Sequence, residues 1–165
     1  MYEFEYAEKL TALLDVAYEA NKENLKVLAR KMADNIKNDK IIHTFGTGHS
    51  HMIGIELFAR AGGLGNVNAL LDPDAITSNG AQRSCALEKL PGLADIIYDN
   101  YKIEAGDMMI ISSNSGRNAV PIEMAARCQK EGVFCIAVTN LAQSKATTSR
   151  HPSGKKLYEY ADVVI

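Results

Sequence analysis

Five short apolar runs constrain this 165-residue chain more than any other feature: Lys40–Phe45, Val67–Leu71, Asp107–Ser112, Val133–Thr139 and Ala161–Ile165. A short apolar run bounded by turn residues is the pattern of a strand buried on both faces. Helical periodicity separates these runs, and strands alternating with helices predict a parallel sheet covered on both sides. In such sheets a ligand sits beyond the carboxyl ends of the strands, where the strand order reverses. That rule selects two loops, after the first run and after the third.

The leading stretch Tyr6–Ile36 is predicted helical, because Leu10, Leu13, Leu14, Ala17, Leu25, Leu28, Met32 and Ile36 recur at three- and four-residue steps. Asn21 and Asn24 interrupt that stripe, predicting a bend or two helices. A second helix carries Ile53, Leu57, Phe58 and Ala61 on one face and closes at Gly62-Gly63. Residues 74–84 read as irregular, and Leu87–Tyr101 as mostly helical with a break at Pro91-Gly92. Ala119–Lys130 is helical and ends at Gly132, while 140–156 is a polar loop or partial helix. The expectation is one domain, 1–165, with 1–38 as an N-terminal helical segment. The chain stops in its last strand, so either another subunit covers that edge or this is the front part of a longer protein.

Composition excludes several classes. Eighteen Lys and Arg against twenty Asp and Glu give a net charge of −2, without the basic excess of a non-specific nucleic-acid binder. No apolar run approaches the roughly 20 residues needed to span a bilayer. The acidic start, Met1-Tyr-Glu-Phe-Glu, is unlike a secretory signal. Cys85, Cys128 and Cys135 lack CxxC spacing and read as reduced, buried thiols of a cytoplasmic protein. Histidines and acids show no metal-ligand spacing, so neither metal nor cofactor is expected.

The first selected loop is Gly46-Thr-Gly48-His49-Ser50. Glycines allow a sharp turn and close approach, and the following helix end adds N–H groups and partial positive charge. The loop reads either as an anion cradle or as a tight turn capped by serine. The second is Ser112-Ser113-Asn114-Ser115-Gly116-Arg117-Asn118, with Pro121 suited to the first helical turn. Its hydroxyls, glycine and asparagine exceed what one N-cap needs, which favours phosphate binding. Two such loops on adjacent strands imply one ligand, its phosphate on the second loop and its remainder facing the first. Rival motifs fail: GxGxxG has His51 at its third glycine, although Asp72 sits where a ribose-binding acid would; GxxxxGK[ST] and GxSxG are missing.

At these loops the sequence resembles the sugar isomerase (SIS) domain family. The match runs in order through the leading helix, Gly46-Thr-Gly-His-Ser50, Met108–Asn118, Phe134–Thr139 and Ala161–Ile165. The family signature S-x-S-G-x-T is met by Ser113, Ser115 and Gly116, with Asn118 in place of threonine. The chain is most similar to bacterial phosphoheptose-isomerase-like and phosphosugar-binding SIS proteins, which share loops like Ser149–Leu157. The resemblance implies a five-stranded flavodoxin-like sheet in a three-layer sandwich, a sugar phosphate or amino-sugar phosphate ligand, and a homodimer or homotetramer. The expected ligand contacts are Gly48, His49, Ser50, Ser113, Asn114, Ser115, Gly116 and Asn118.

Aldose–ketose isomerisation needs a base between adjacent carbons and a group that stabilises the enediolate. The candidates are Glu88, Glu56 and His51. Glu88 reads as the start of the helix after the second strand, where it is equally a dipole partner. The catalytic glutamate of the heptose isomerase and etherase branches, counted from Gly46, falls at Arg60. His43 reads as core or interface. The basic stretch Arg150, His151 and Lys155 reads either as a closure over an anion or as a solvated loop. A non-catalytic sugar-phosphate sensor and a dinucleotide-binding domain remain as alternatives.

Overall fold

The computed structural model describes residues 5–165, so the first four residues of the expected 1–38 segment lie outside the described residues. Helix α1 runs unbroken from Glu5 to Lys37. The expected bend at Asn21 and Asn24 is absent because both amides bond without breaking the helix. Asn21 Nδ2 donates to the Ala17 carbonyl at 2.8 Å, and Asn24 Nδ2 donates to the Val164 carbonyl at 3.1 Å. Leu28 and Met32 lie against Ile42, Met108, Ile110 and Ile136 of the sheet. Toward the amino end the stripe is uncovered, with Leu13 65% and Leu14 62% exposed.

Five parallel strands, β1 (Ile42–Gly46), β2 (Val67–Ala69), β3 (Met108–Ser112), β4 (Phe134–Val138) and β5 (Val163–Val164), stand in the order β2-β1-β3-β4-β5. This is the flavodoxin-like order. Helices α2 (Met52–Leu57), α3 (Ala81–Leu87), α4 (Leu93–Asp99), α5 (Ala119–Glu131) and α6 (Leu141–Ala146) complete the layers. Val120, Met124 and Cys128 of α5 and Ala94, Ile97 and Tyr98 of α4 bury the face of Phe45, Met109 and Ile111. Alternation along β3 sends Met108 and Ile110 toward α1 and Met109 and Ile111 toward α5, the period of two expected of a strand.

Several boundaries differ from the sequence expectation. Helix α2 stops at Leu57, short of Ala61, because Phe58 is extended and Ala59 turns left-handed at φ 54°. The stretch read as irregular contains the start of α3 at Ala81. Glu88 is the residue that ends α3, so it is not the start of the next helix, which begins at Leu93 after Gly92. Cys128 and Cys135 are buried, but Cys85 is exposed. Helix α3 buries only Ser84, so its neighbour Cys85 points outward, where its Sγ accepts from Lys89 Nζ at 3.4 Å.

His43 and Asp107 form a buried pair near the amino ends of β1 and β3, with Nε2 and Oδ2 3.1 Å apart. The same carboxylate accepts from the Ile41 N–H at 3.1 Å and the Glu104 N–H at 2.9 Å. Burial lowers the His43 pKa from 6.5, against the opposing pull of Asp107. Among the described residues no helix is long and apolar enough to cross a membrane.

Candidate functional site

The strand order reverses between β1 and β3, whose last residues, Gly46 and Ser112, are register partners. The two selected loops therefore leave the sheet side by side. After Gly46 the chain enters a 3-10 turn, Gly48–His51, that runs on into α2. A methyl group on Gly46 would lie 2.6 Å from the Ser50 carbonyl carbon, so a bare strand end lets the turn fold down over it. The turn's amides are largely committed: Gly48 N–H donates to the Ala75 carbonyl at 2.9 Å and Ser50 N–H to the Thr47 carbonyl at 3.1 Å. His51 is buried with Nδ1 on the Gly48 carbonyl, a link that braces the turn from within. The first loop thus presents side chains, the Ser50 hydroxyl and the exposed His49 ring, more than backbone donors.

The second loop is organised the other way. A trans peptide unit carries its C=O and N–H on opposite sides, so a claimed carbonyl fixes where the next amide points. The Asn114 carbonyl accepts from Asn140 N–H at 3.0 Å and from Thr139 Oγ1 at 3.2 Å, which turns the Ser115 N–H to the other side. The Gly116 carbonyl accepts from Leu157 N–H at 2.9 Å, turning the Arg117 N–H away, and the Arg117 carbonyl accepts from Arg150 N–H at 2.8 Å, turning the Asn118 N–H away. Among the described residues these three amides have no protein acceptor. Ser113 Oγ accepts from Gly116 N–H at 3.2 Å, which leaves its own proton to donate. Gly116 sits at φ 57°, a left-handed conformation that glycine adopts without strain. Helix α5, 13 residues long with no acid in its first turn, adds the positive end of its dipole. Uncommitted N–H donors at a helix amino end without an acid in its own first turn suit an acceptor with several oxygens.

A cavity of about 400 Å³ opens beside this edge between α1, the first turn and the end of β4. Ser50, Ser112, Ser113 and Asn114 line it together with Asn21 of α1. Of the three candidate bases, Glu88 lies at this edge. It is half-buried, its Oε2 accepts from Thr47 Oγ1 at 3.0 Å, and its carbonyl accepts from Val120 N–H of α5 at 3.1 Å. Glu56 is elsewhere, an exposed carboxylate on α2 paired with Arg60 four residues on. Thr47, which the sequence reading passed over, is 5% exposed and orients the Glu88 carboxylate. Its signal was a hydroxyl between two glycines at the end of a strand.

Arg150 and Lys155 are exposed, as a solvated loop would have them, and His151 is half-buried, but two of these side chains are also tied to the domain. Arg150 donates to Asn118 Oδ1 at 3.0 Å, and His151 Nε2 stands 3.1 Å from Glu123 Oε1.

The profile of a family described as SIS domain matches residues 5–140. A UPF0309 protein of Halalkalibacterium halodurans is 41% identical over 160 residues, 97% of this chain and 64% of that protein. A UPF0309 protein of Geobacillus kaustophilus is 38% identical over 161 residues, covering 98% of this chain and 64% of its own length. The chain thus spans just under two-thirds of these curated relatives. Among solved structures, a phosphoheptose isomerase from Neisseria gonorrhoeae superposes with a TM-score of 0.53 at 22% identity, over 86% of this chain and 80% of that one. A phosphoheptose isomerase from Francisella tularensis gives 0.52 at 17% identity, over 92% and 83%. At these identities the likeness is one of fold.

Proposed function

This chain belongs to the SIS domain family, and from that premise we propose that it binds a phosphorylated sugar or amino-sugar derivative and isomerises it between aldose and ketose forms. The phosphate lies on Ser113–Asn118 and the sugar faces Gly48, His49 and Ser50. The observation that carries this reading is the set of three amides, on Ser115, Arg117 and Asn118, each turned away from the claimed carbonyl that precedes it and left without a protein acceptor among the described residues. A phosphate is the ligand chemistry that uses several convergent N–H donors at a helix amino end. The two fold neighbours, both phosphoheptose isomerases, agree in kind. In this reading the protein is a cytoplasmic homodimer or homotetramer.

Isomerisation requires a base, and Glu88 is the one we assign, because Thr47 holds its carboxylate beside the first turn while Glu56 is engaged by Arg60. His51, committed to the Gly48 carbonyl, is a brace in this reading. A general base typically contributes about 10²–10⁴ in rate. Glu88→Gln is therefore expected to lower kcat by about 100-fold or more while ligand affinity stays within about threefold. Thermal-shift screening of phosphorylated and free sugars, followed by isomerase assays on the binders, tests both parts. Selective stabilisation by phosphosugars without turnover in wild type supports the sensor reading. That alternative is favoured by the commitment of Glu56 and His51 elsewhere.

A further inference from the structure

The stretch Ser149–Leu157 is fastened to the anion loop from both of its ends. Arg150 N–H holds the Arg117 carbonyl at 2.8 Å, Leu157 N–H holds the Gly116 carbonyl at 2.9 Å, and the Arg150 guanidinium holds Asn118 Oδ1 at 3.0 Å. We propose that this strap preorganises the anion cradle, and that Arg150 is a positioning residue that turns the Asn118 side chain so that its Nδ2 hydrogens, and not its oxygen, face the bound phosphate. The inference rests on the phosphate reading of the loop given above.

The orientation follows from donor chemistry. A guanidinium has only donors, so the atom of Asn118 it meets is the oxygen, and the other atom of that amide is a donor. An asparagine before a helix usually spends its oxygen on the second or third N–H of the first turn. Here that task is vacant: Val120 N–H already donates to the Glu88 carbonyl, Pro121 has no N–H, and Asn118 makes no cap bond. Asn118 is only 6% exposed, and its Nδ2 has no acceptor among the described residues. Unlike the enclosed hydroxyls of Thr44, Tyr98 and Ser144, that Nδ2 is not sealed in, so it is open to an incoming acceptor. It sits on the residue whose main-chain N–H is also turned away from the strap.

The strap itself is hydrogen-bonded at several points. Ser149 Oγ donates to the Lys155 carbonyl at 2.6 Å and accepts from His151 N–H at 3.0 Å. His151 Nε2 meets Glu123 of α5, whose other oxygen takes the Gly92 N–H at 2.8 Å. The buried Lys156 Nζ donates to the carbonyls of Ser144 and Thr147. One element therefore fixes two backbone amides and one side-chain amide before any ligand arrives, which removes an ordering cost from binding.

The test titrates inorganic phosphate into the full chain labelled with [15N]asparagine and follows the Asn118 side-chain amide pair, assigned by its loss in Asn118→Thr; in variants that lack Asn118 the affinity is read by calorimetric titration. Wild type should show a saturable shift of that pair. Arg150→Ala frees the amide to turn its oxygen inward. With a competent fraction of about 0.05–0.2, the apparent Kd rises about 5- to 20-fold. Arg150→Lys, still a donor, should recover part of the loss. In the Asn118→Thr background, where a hydroxyl needs no orienter, Arg150→Ala should change Kd by less than about twofold. An equal loss in both backgrounds overturns the proposal, because Arg150 would then act through its own charge, while the cradle itself stands. Absence of any saturable shift in wild type, with phosphate or with phosphosugars, refutes the cradle and this proposal together. Should Arg150→Ala fail to fold, Asn118→Asp serves instead: it keeps the Arg150 contact but offers only acceptors, so binding should fall more than about tenfold with Tm undiminished. Wild-type affinity in Asn118→Asp overturns the assignment.

Discussion

Gly116→Ala and Gly154→Ala are the same chemical change at two left-handed glycines, and the structure separates their costs. Gly116 has φ 57° and Gly154 φ 73°, so each alanine pays a left-handed strain of about 1 kcal/mol. Around Gly154 nothing lies within 4 Å of an added methyl, whereas at Gly116 it would meet Ser144 Oγ and Thr139 Oγ1 at 3.2 Å and Leu157 Cβ at 3.3 Å. Those three neighbours must each give by a few tenths of an ångström in a packed region, an overpacking cost of about 1–3 kcal/mol. The expected losses are about 1 kcal/mol at Gly154 and about 2–4 kcal/mol at Gly116. At roughly 2–4 °C per kcal/mol these become a Tm decrease of about 2–4 °C and of about 5–15 °C. Leu157 also holds the Gly116 carbonyl, so pushing it away lets the Arg117 amide turn. Phosphate affinity should fall about tenfold in Gly116→Ala and stay within about twofold in Gly154→Ala. Circular-dichroism melts with and without phosphate read both quantities. Equal Tm decreases for the two variants, or wild-type phosphate affinity in Gly116→Ala, would refute the argument that close packing beneath this glycine shapes the cradle.

Ser113→Ala and Ser115→Ala should each weaken phosphosugar binding by roughly 1–3 kcal/mol, the value of a charge-assisted hydrogen bond, as read by calorimetric titration; unchanged affinity in both removes the hydroxyls from the site. Stability should decline as pH falls below 6.5, because burial keeps the His43 pKa under that value and the unfolded chain takes up a proton that the folded chain resists. A second decline should follow below 3.8. Burial pushes the Asp107 carboxyl up, but the Glu104 and Ile41 N–H groups and His43 outweigh it and hold it below that ordinary value. Urea melts at pH 5 and 7.5 check the first window, which should flatten in His43→Gln; equal wild-type stability at both pH values contradicts it.

What the sequence disclosed, and what it hid, divides by range. The strands were legible because burial on both faces leaves a local mark, and the two loops because the strand–loop–helix order is itself local. Asn24 misled because a polar residue on an apolar stripe reads as an interruption until its partner, the Val164 carbonyl 140 positions away, is known. The strap hid for the same reason: Arg150 and Asn118 are 32 positions apart, and nothing in either neighbourhood announces the other. Thr47 and Glu88 are 41 apart, so a carboxylate that looked like a dipole partner proved to be held by the first turn.

The two loops look alike in composition, yet the structure gives them opposite commitments, and this asymmetry bears on how a ligand lies. In the first turn the Gly48 and Ser50 N–H groups are spent on Ala75 and Thr47 carbonyls, leaving hydroxyl and imidazole groups and the clasped Glu88 carboxylate nearby. In the second loop it is the carbonyls of Asn114, Gly116 and Arg117 that are spent, leaving N–H groups. A charged oxygen cluster gains most where several fixed donors converge and loses where a carboxylate stands close. Under the proposed function, a phosphosugar placed across the switch point is therefore polarised, its phosphate on the second loop and its carbon chain toward Glu88. The reverse placement would set phosphate beside that carboxylate and leave the three second-loop amides without an acceptor. Under the proposed function, the same polarity lets a chain with a net charge of −2 hold an anion with few cations. Backbone donors held from behind do the work, so affinity depends on what holds their carbonyls as much as on any residue that touches the ligand.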